Sequence, residues 1–252
     1  MNTPPIFFSP DLITAIQQAG HIAVLTGAGI SAESGIPTFR AAQTGLYAQH
    51  SPQELASPEG FRKDPKLVWE WYAWRRSKVA AANPNRGHLA LVAMEQRVPK
   101  FTLITQNVDG LHRRAGSLNV LELHGNIMNT KCSRENTPVT GWQDTGSIPP
   151  ICPNCKAFLR PDVVWFGESL PADKLLAALD AASACNVFLS VGTSTLVEPA
   201  ASLPFLALRH GAVVIEVNPE QTPLSKQAAI ILSGEAGSIL PQLVNAVWGC
   251  VI

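Results

Sequence analysis

Charge is scarce in this chain. Lys, Arg, Asp and Glu make up 15% of its 252 residues, against about 25% in an average globular protein. The 19 basic residues also cancel the 19 acidic ones, and the lack of a basic excess excludes nucleic-acid binding by counterion release. A disordered chain combines high charge with few apolar side chains, whereas 46% of this one is hydrophobic. Long apolar runs are missing too. Residues 200–208 are interrupted by Ser202 and Pro204, far short of the ~20 residues that cross a bilayer. The opening Met-Asn-Thr-Pro-Pro-Ile-Phe-Phe-Ser-Pro-Asp has neither a basic start nor a long apolar stretch, so it does not read as a secretory signal. Five cysteines, an odd number, do not make a disulfide framework. The expectation is a cytoplasmic protein without membrane or nucleic-acid partners, folded as one large domain or one domain with a smaller insertion.

What is present is an alternation. Ser9-Pro10-Asp11 before Leu12, Ile13 and Ile16 reads as a capped helix start, and Gly20 as its end. Apolar, β-branched runs follow at 21–26, 101–105, 119–123, 186–191, 212–217 and 229–232. Continuous runs of this length suit strands buried on both faces, as in a parallel sheet. Helical patterns lie between several of them, at 85–96, 171–182 and 200–209, with another at 236–247. The fold class predicted is therefore α/β, a Rossmann-like doubly wound parallel sheet. Two stretches break the alternation. Residues 38–82 are rich in Pro, Trp and short helices, and 127–159 carry three of the cysteines. Residues 1–37, 83–126 and 160–252 are expected to form the large domain. The two interruptions, one helical and one zinc-ribbon-like, form a smaller inserted one.

Small and polar residues cluster after the carboxyl ends of the predicted strands: Gly27-Ala28-Gly29, Gln106-Asn107-Val108-Asp109, His124-Gly125, Gly192-Thr193-Ser194 and Asn218-Pro219. Ligands bind at this edge of open α/β sheets. Turn chemistry accounts for the glycines but less well for Gln106, Asp109 and His124. Gly27-Ala28-Gly29-Ile30-Ser31-Ala32 matches the Gly-x-Gly-x-x-Gly/Ala pattern that lets backbone N–H groups approach a pyrophosphate. The acidic residue expected some 20 positions later in a dehydrogenase is missing, since residues 47–52 read Tyr-Ala-Gln-His-Ser-Pro. A phosphate cradle without hydride transfer is the outcome.

The segments from Gly27 to Arg40 (Gly-Ala-Gly-Ile-Ser-Ala-Glu-Ser-Gly-Ile-Pro-Thr-Phe-Arg) and from Thr105 to His112 (Thr-Gln-Asn-Val-Asp-Gly-Leu-His) are joined by Leu123-His124-Gly125, Val164-Trp165-Phe166-Gly167-Glu168, Gly192-Thr193-Ser194 and Val217-Asn218. Together, in this order, they resemble the sirtuins, which are NAD-dependent protein lysine deacylases. The resemblance implies that NAD is consumed as a co-substrate, with nicotinamide released and the acyl group passed to ADP-ribose. It implies that His124 is the general base drawing a proton from a ribose hydroxyl, a role that suits an imidazole titrating near neutrality. Asn107 and Asp109 would seat the nicotinamide end and Gln106 the ribose, although Asp109 also fits as the cap of the following helix. Gly27, Ala28, Gly29, Ser31, Ala32, Glu33, Pro37, Thr38 and Val108 would line the NAD site, with Phe39 shielding the sugar from water and Arg40 at the diphosphate. Thr193, Ser194 and Gly192 would face the adenosine side, with Asn218 and Ala236 near the adenine ribose. Val164, Trp165, Phe166, Gly167 and Glu168, and Val197 on a second extended stretch, would take an acylated peptide as an added strand.

The cysteines depart from the family. Cys152-Pro-Asn-Cys155 is a good zinc knuckle, but its mate is Cys132-Ser-Arg-Glu135, with a carboxylate where a thiol is usual. Zinc takes four ligands, and a carboxylate oxygen can be one. Glu135 completes the site, a water does, or the site is vacant. Cys185 and Cys250 read as bystanders. Tyr72 and Arg75, three apart in the helical stretch 64–82, share a helix face and resemble the Tyr-x-x-Arg of sirtuins that remove succinyl and malonyl groups. Ala56 matches the small residue that widens their acyl pocket. The resemblance thus implies a desuccinylase or demalonylase that also deacetylates, acting on acylated proteins; the sequence does not fix the oligomeric state, for which a monomer is the expectation. An NAD-linked oxidoreductase is disfavoured by the missing acid. A non-catalytic NAD sensor is disfavoured by His124, Asn107 and Asp109 occurring together.

Overall fold

Strand β1 (His21–Thr26) is buried at every position, which demands cover on both faces. The computed structural model, which describes residues 6–37, 49–143 and 146–249, supplies that cover. Along the chain follow β2 (Lys100–Thr105), β3 (Val120–Glu122), β4 (Gly125–Cys132), β5 (Leu159–Val163), β6 (Val187–Val191), β7 (Val213–Asn218) and β8 (Ile230–Ser233). Six of them form one sheet in the order β3-β2-β1-β6-β7-β8, with every neighbouring pair parallel. Its members are the six apolar runs of the sequence, shifted by a residue or two at their ends. The doubly wound sheet with a smaller second module is thus the observed architecture.

The helices are α1 (Pro10–Gln17), α2 (Ala28–Ala32), α3 (Pro52–Leu55), α4 (Pro58–Lys63), α5 (Pro65–Ala81), α6 (Arg86–Glu95), α7 (Leu111–Ala115), α8 (Ala172–Ala184), α9 (Leu203–Arg209) and α10 (Ala236–Trp248). Alternate residues of a strand face opposite sides, and β1 divides accordingly. Ile22 and Val24 join a core with Leu12, Leu91 and Leu243 of α1, α6 and α10. Ala23 and Leu25 join another with Ala178, Ala182 and Leu203 of α8 and α9. Ser9 caps α1 as expected, its Oγ accepting the Leu12 N–H. That helix already ends at Gln17, where the Gln18 N–H closes the last turn, so Gly20 is not its terminator. The helical pattern at 200–209 begins instead as a 3-10 turn, Ala200–Ser202, before α9, because Pro204 fits only the first turn of the α-helix.

Strands β4 and β5 pair antiparallel in a second sheet and so span the boundaries expected at 126/127 and 159/160. Helix α5, capped by Asp64, lies against this module. Its Trp71 and Tyr72 enter a core with Leu55, Ala56, Phe61, Ile127, Val163 and Trp165. Its Trp69 enters another with Cys132, Val139, Cys152 and Leu159. An aromatic-rich helix buried on two sides explains the unusual Trp content of residues 69–74.

The loops after β1 and β6 meet without side chains between them. The Gly29 N–H donates to the Gly192 carbonyl at 2.8 Å and the Gly27 N–H to that of Val191 at 3.0 Å. A Cβ on Gly192 would sit 2.6 Å from the Ile30 nitrogen, and its φ is +59°. Gly192→Ala should therefore lower stability by at least about 2 kcal/mol, combining the cost of left-handed backbone with overpacking. An unchanged urea midpoint would show that the two loops separate freely.

Candidate active site

The carboxyl ends of the parallel strands bring the expected cofactor residues to one edge. Residues 27–37 leave β1, 106–109 leave β2, 192–194 leave β6, Asn218 ends β7, and Ala236 opens α10. Of the sequence candidates, Thr38, Phe39 and Arg40 lie outside the described residues, as does Cys250. Asn107 is buried, and its Nδ2 donates to the Gly27 carbonyl at 2.9 Å and to Ser31 Oγ at 3.1 Å, so the β2 loop clamps the glycine turn. The Asp109 carboxylate accepts the Leu111 N–H at 2.9 Å, which is the capping role. Burial raises its pKa, against that N–H, the Ser31 hydroxyl and the Arg75 and Arg114 charges. Glu33 accepts the Gly237 N–H at 2.8 Å and so ties the glycine turn to α10 beside Ala236. Ala28 and Ala32 are exposed, and Pro37 and Val108 half-buried, along the same rim.

His124 ends the short segment after β3. Its Nδ1 lies 2.9 Å from the Gln106 carbonyl oxygen, an atom that only accepts. In the neutral ring Nδ1 therefore carries the hydrogen, and Nε2 keeps its lone pair. Burial lowers the His124 pKa and the Gln106 carbonyl partly restores it, so the ring is neutral at physiological pH. Gln106 reaches sideways as well, donating from Nε2 to Thr193 Oγ1 at 2.9 Å. Asn218 Nδ2 donates to the Thr193 carbonyl at 2.9 Å, so the ends of β2, β6 and β7 are linked laterally through Thr193. Ser194 is exposed at the rim.

Two residues beneath this edge were given no role from the sequence. His112 Nε2 lies 2.9 Å from Thr26 Oγ1, which donates to Thr105 Oγ1 at 2.8 Å. The His88 ring stacks near it, with centroids 4.8 Å apart. Burial depresses His112 to about 3, with the His88 charge adding to it, and His88 to about 4. Both are neutral scaffold under the site. The signal that could have found them is the pair of threonines closing two otherwise apolar strands.

The expected acyl-binding residues also converge. Tyr72 and Arg75 share a face of α5, with Arg75 Cζ 5.8 Å from the Tyr72 ring centre and 4.9 Å from that of Trp71. Ala56 packs in the same core as Tyr72 and Trp165. The segment from Val164 to Glu168 is fastened at several points. The Val164 N–H donates to the His124 carbonyl and the Phe166 N–H to that of Ala56, each at 2.9 Å. The Trp165 indole Nε1–H donates to Tyr72 Oη at 3.0 Å. Trp165 points inward, 2% exposed, while Phe166 at 47% and Val197 at 44% face solvent, as a strand-like alternation requires. Gly167, with φ +87°, turns the chain back toward Glu168. Arg160, missed in the sequence, holds the turn together: its guanidinium pairs with both Glu168 carboxylate oxygens at 2.6 and 2.8 Å. It also donates to the Val163 carbonyl and stacks 3.3 Å from the Trp165 ring centre. An arginine, buried in a strand between Leu159 and Val163, was the available signal.

On the second module, Cys132, Glu135, Cys152 and Cys155 each present a ligand atom, all within 4.8 Å of one another. The Cys132 and Cys155 sulfurs are 3.2 Å apart. A tetrahedral zinc with Zn–S bonds of about 2.3 Å holds its sulfurs about 3.8 Å apart, so this set fits the ion with a small adjustment. Of the three readings left open by the sequence, the geometry brings Glu135 in as the fourth donor. Cys185 is buried in the sheet core, away from this group.

The sequence profile of the Sir2 family matches residues 27–199. A protein of Aquifex aeolicus described as an NAD-dependent protein deacylase is 53% identical over 226 residues, covering 89% of this chain and 94% of that one. One of Caldanaerobacter subterraneus described as NAD-dependent protein deacylase 1 is 52% identical over 214 residues, covering 84% and 88%. Among solved structures, a Sir2 homologue in complex with NAD superposes with a TM-score of 0.89 at 44% identity, covering 98% of this chain and 96% of that one. The matched range spans the glycine turn, the strand-edge histidine and the cysteine-bearing module, and with relatives about 50% identical over most of its length this chain belongs to the Sir2 family.

Proposed function

We propose that this protein is an NAD-dependent protein-lysine deacylase acting on acylated lysines of other proteins, with a preference for succinyl and malonyl groups and with deacetylation retained. The observation that carries the reading is the state of His124. Its Nδ1 hydrogen is committed to the Gln106 carbonyl, and burial keeps the ring neutral, so Nε2 is a ready acceptor for a ribose hydroxyl proton at the strand edge. NAD bound in the crevice supplies the electrophilic ribose carbon and the leaving nicotinamide. Asn107, Asp109 and the glycine turn orient it, and Phe39 and Arg40 act as the sequence resemblance implies. The exposed Phe166 and Val197 segments take the peptide as an added strand. Tyr72 and the Arg75 guanidinium fork meet a carboxylate at the far end of the acyl chain.

We assign 1–37, 83–126 and 160–252 to the NAD-binding part and 38–82 with 127–159 to the smaller one, with the paired strands β4 and β5 running across both inner boundaries. The free thiols of Cys132, Cys152 and Cys155 suit a reducing, cytoplasmic compartment. Among the described residues no helix is long and apolar enough to cross a membrane. Incubation with NAD and an acylated peptide tests the reaction class: a deacylase releases nicotinamide and O-acyl-ADP-ribose, an oxidoreductase forms NADH, and a sensor does neither.

His124→Ala should leave a folded protein with deacylation reduced at least ~100-fold, the lower range of general-base catalysis. Because burial depresses this pKa and the neutral ring is the active form, the acid limb of kcat/KM in the unaltered enzyme should fall below the ordinary imidazole value of about 6.5. A folded variant with most of its turnover, or an acid limb above that value, would remove His124 from the role.

Arg75→Met should cost desuccinylation at least about tenfold in kcat/KM, since hydrogen bonds to a charged group contribute about 1.5–3 kcal/mol. Deacetylation should stay within a few-fold. Equal losses on both substrates would assign Arg75 to the fold or to NAD binding instead.

Zinc held by Cys132, Glu135, Cys152 and Cys155 should be structural. Chelation should lower the melting temperature before it alters turnover of the protein still folded, and Glu135→Cys should raise zinc retention against a competing chelator. Elemental analysis without zinc in protein purified free of chelators would dismiss the site.

A further inference from the structure

The phenol of Tyr72 is buried, 2% exposed, and its oxygen receives the Trp165 indole N–H at 3.0 Å. A phenolic O–H prefers the ring plane and has two in-plane directions. The indole hydrogen occupies the lone pair on one side, so the Tyr72 hydrogen is driven to the other. Among the described residues no acceptor bonds to that hydrogen. A buried donor without an acceptor costs free energy unless a ligand or water completes it. Burial also raises the Tyr72 pKa, against the Arg75 charge and the Trp165 hydrogen bond, so the hydrogen stays on the oxygen at physiological pH. Trp165 cannot turn away from this task. Its ring is fixed by Arg160 stacked 3.3 Å from its centre and by Phe61 with centroids 5.2 Å apart, and its backbone N–H is held by Glu168 at 2.8 Å.

We propose that Trp165 is a positioning residue for acyl selectivity: by donating to the Tyr72 oxygen it compels the phenol to present its hydrogen, rather than a lone pair, to the acyl terminus, which favours an acidic acyl group. The inference rests on the succinyl and malonyl preference proposed above. Trp165 acts through Tyr72, since its own side chain is buried among α4, α5 and Arg160. A neutral acetyl group is too short to need this donor and gains nothing from it.

The test is a double-mutant cycle on the full-length enzyme, read as the ratio of kcat/KM for succinyl-lysine and acetyl-lysine versions of one peptide. Trp165→Phe keeps a ring for Arg160 to stack on and removes the indole donor. It should lower the ratio roughly 3–10-fold, about the worth of one neutral hydrogen bond, and leave KM for NAD within twofold. In a Tyr72→Phe background the same substitution should change the ratio less than twofold, because its route through the phenol is gone. Thermal melts of each variant establish that it is folded. A ratio unchanged by Trp165→Phe overturns the proposal, and so does an equal effect with and without the Tyr72 hydroxyl, which would make Trp165 simple packing. If the unaltered enzyme removes no acidic acyl group at all, the substrate reading itself fails, a result distinct from either of these.

Discussion

The close crossing of two loops at Gly27, Gly29 and Gly192 is the contact on which the rest of the site depends. Gly27 and Gly29 after β1 touch Gly192 after β6 backbone to backbone. These two strands are neighbours at the centre of the sheet, and from them the strand order runs outward in opposite directions. The loops after them must therefore leave toward opposite faces, which opens a crevice at the point of divergence. Any side chain at these glycines would wedge the loops apart and fill that crevice. With none there, backbone lines this contact, the Gly27 and Gly29 N–H groups bonded to the Val191 and Gly192 carbonyls. Asn107 then anchors the glycine turn to β2 by bonding the Gly27 carbonyl and the Ser31 hydroxyl.

Electrostatics at this edge follow from burial more than from charge. The chain has few ionisable groups, and those near the crevice are desolvated. His88 and His112 are held neutral well below their ordinary range, and His124 is shifted in the same direction. In a neutral ring one nitrogen keeps its lone pair, and the Gln106 carbonyl sets which one. The same glutamine bonds Thr193, and Thr193 bonds Asn218, so the tautomer of the histidine is fixed by a residue that also locks neighbouring strand ends.

The smaller module reaches the same site by a different route. Strands β4 and β5 begin and end next to the His124 edge: Gly125 follows His124, and a Cβ there would meet the Asp162 carbonyl at 2.3 Å. The His124 carbonyl in turn accepts the Val164 N–H. Buried charges are tolerated in this module because they are paired, Arg160 with Glu168 and Lys131 with Asp162, as uncompensated ones would be strongly destabilising. The cysteine cluster closes the far end of the pair. The position of the Val164–Glu168 segment is thus set by the Arg160–Glu168 ion pair, whose carboxylate also holds the Trp165 N–H.

The sequence alone determined the six parallel strands, because each is a continuous apolar run that only a doubly covered sheet accommodates, and it determined the edge of the site, because polar residues follow those runs. It also located Tyr72 and Arg75 on one helix face, since that depends only on helical periodicity. It left the Glu135 question open, because whether a carboxylate joins three thiols depends on how two distant turns meet. It gave the His88–His112 pair no role, because Thr26, which His112 meets, lies far along the chain, and it gave Arg160 none because the irregular turn that folds Glu168 back onto it has no periodic signature. Trp165 and Phe166 are adjacent aromatics in the same motif, yet one is sealed under Tyr72 and the other faces solvent. Only the tertiary structure decided that, since the register of a short segment is set by what packs beneath it, here the Arg160 guanidinium and the phenol of Tyr72.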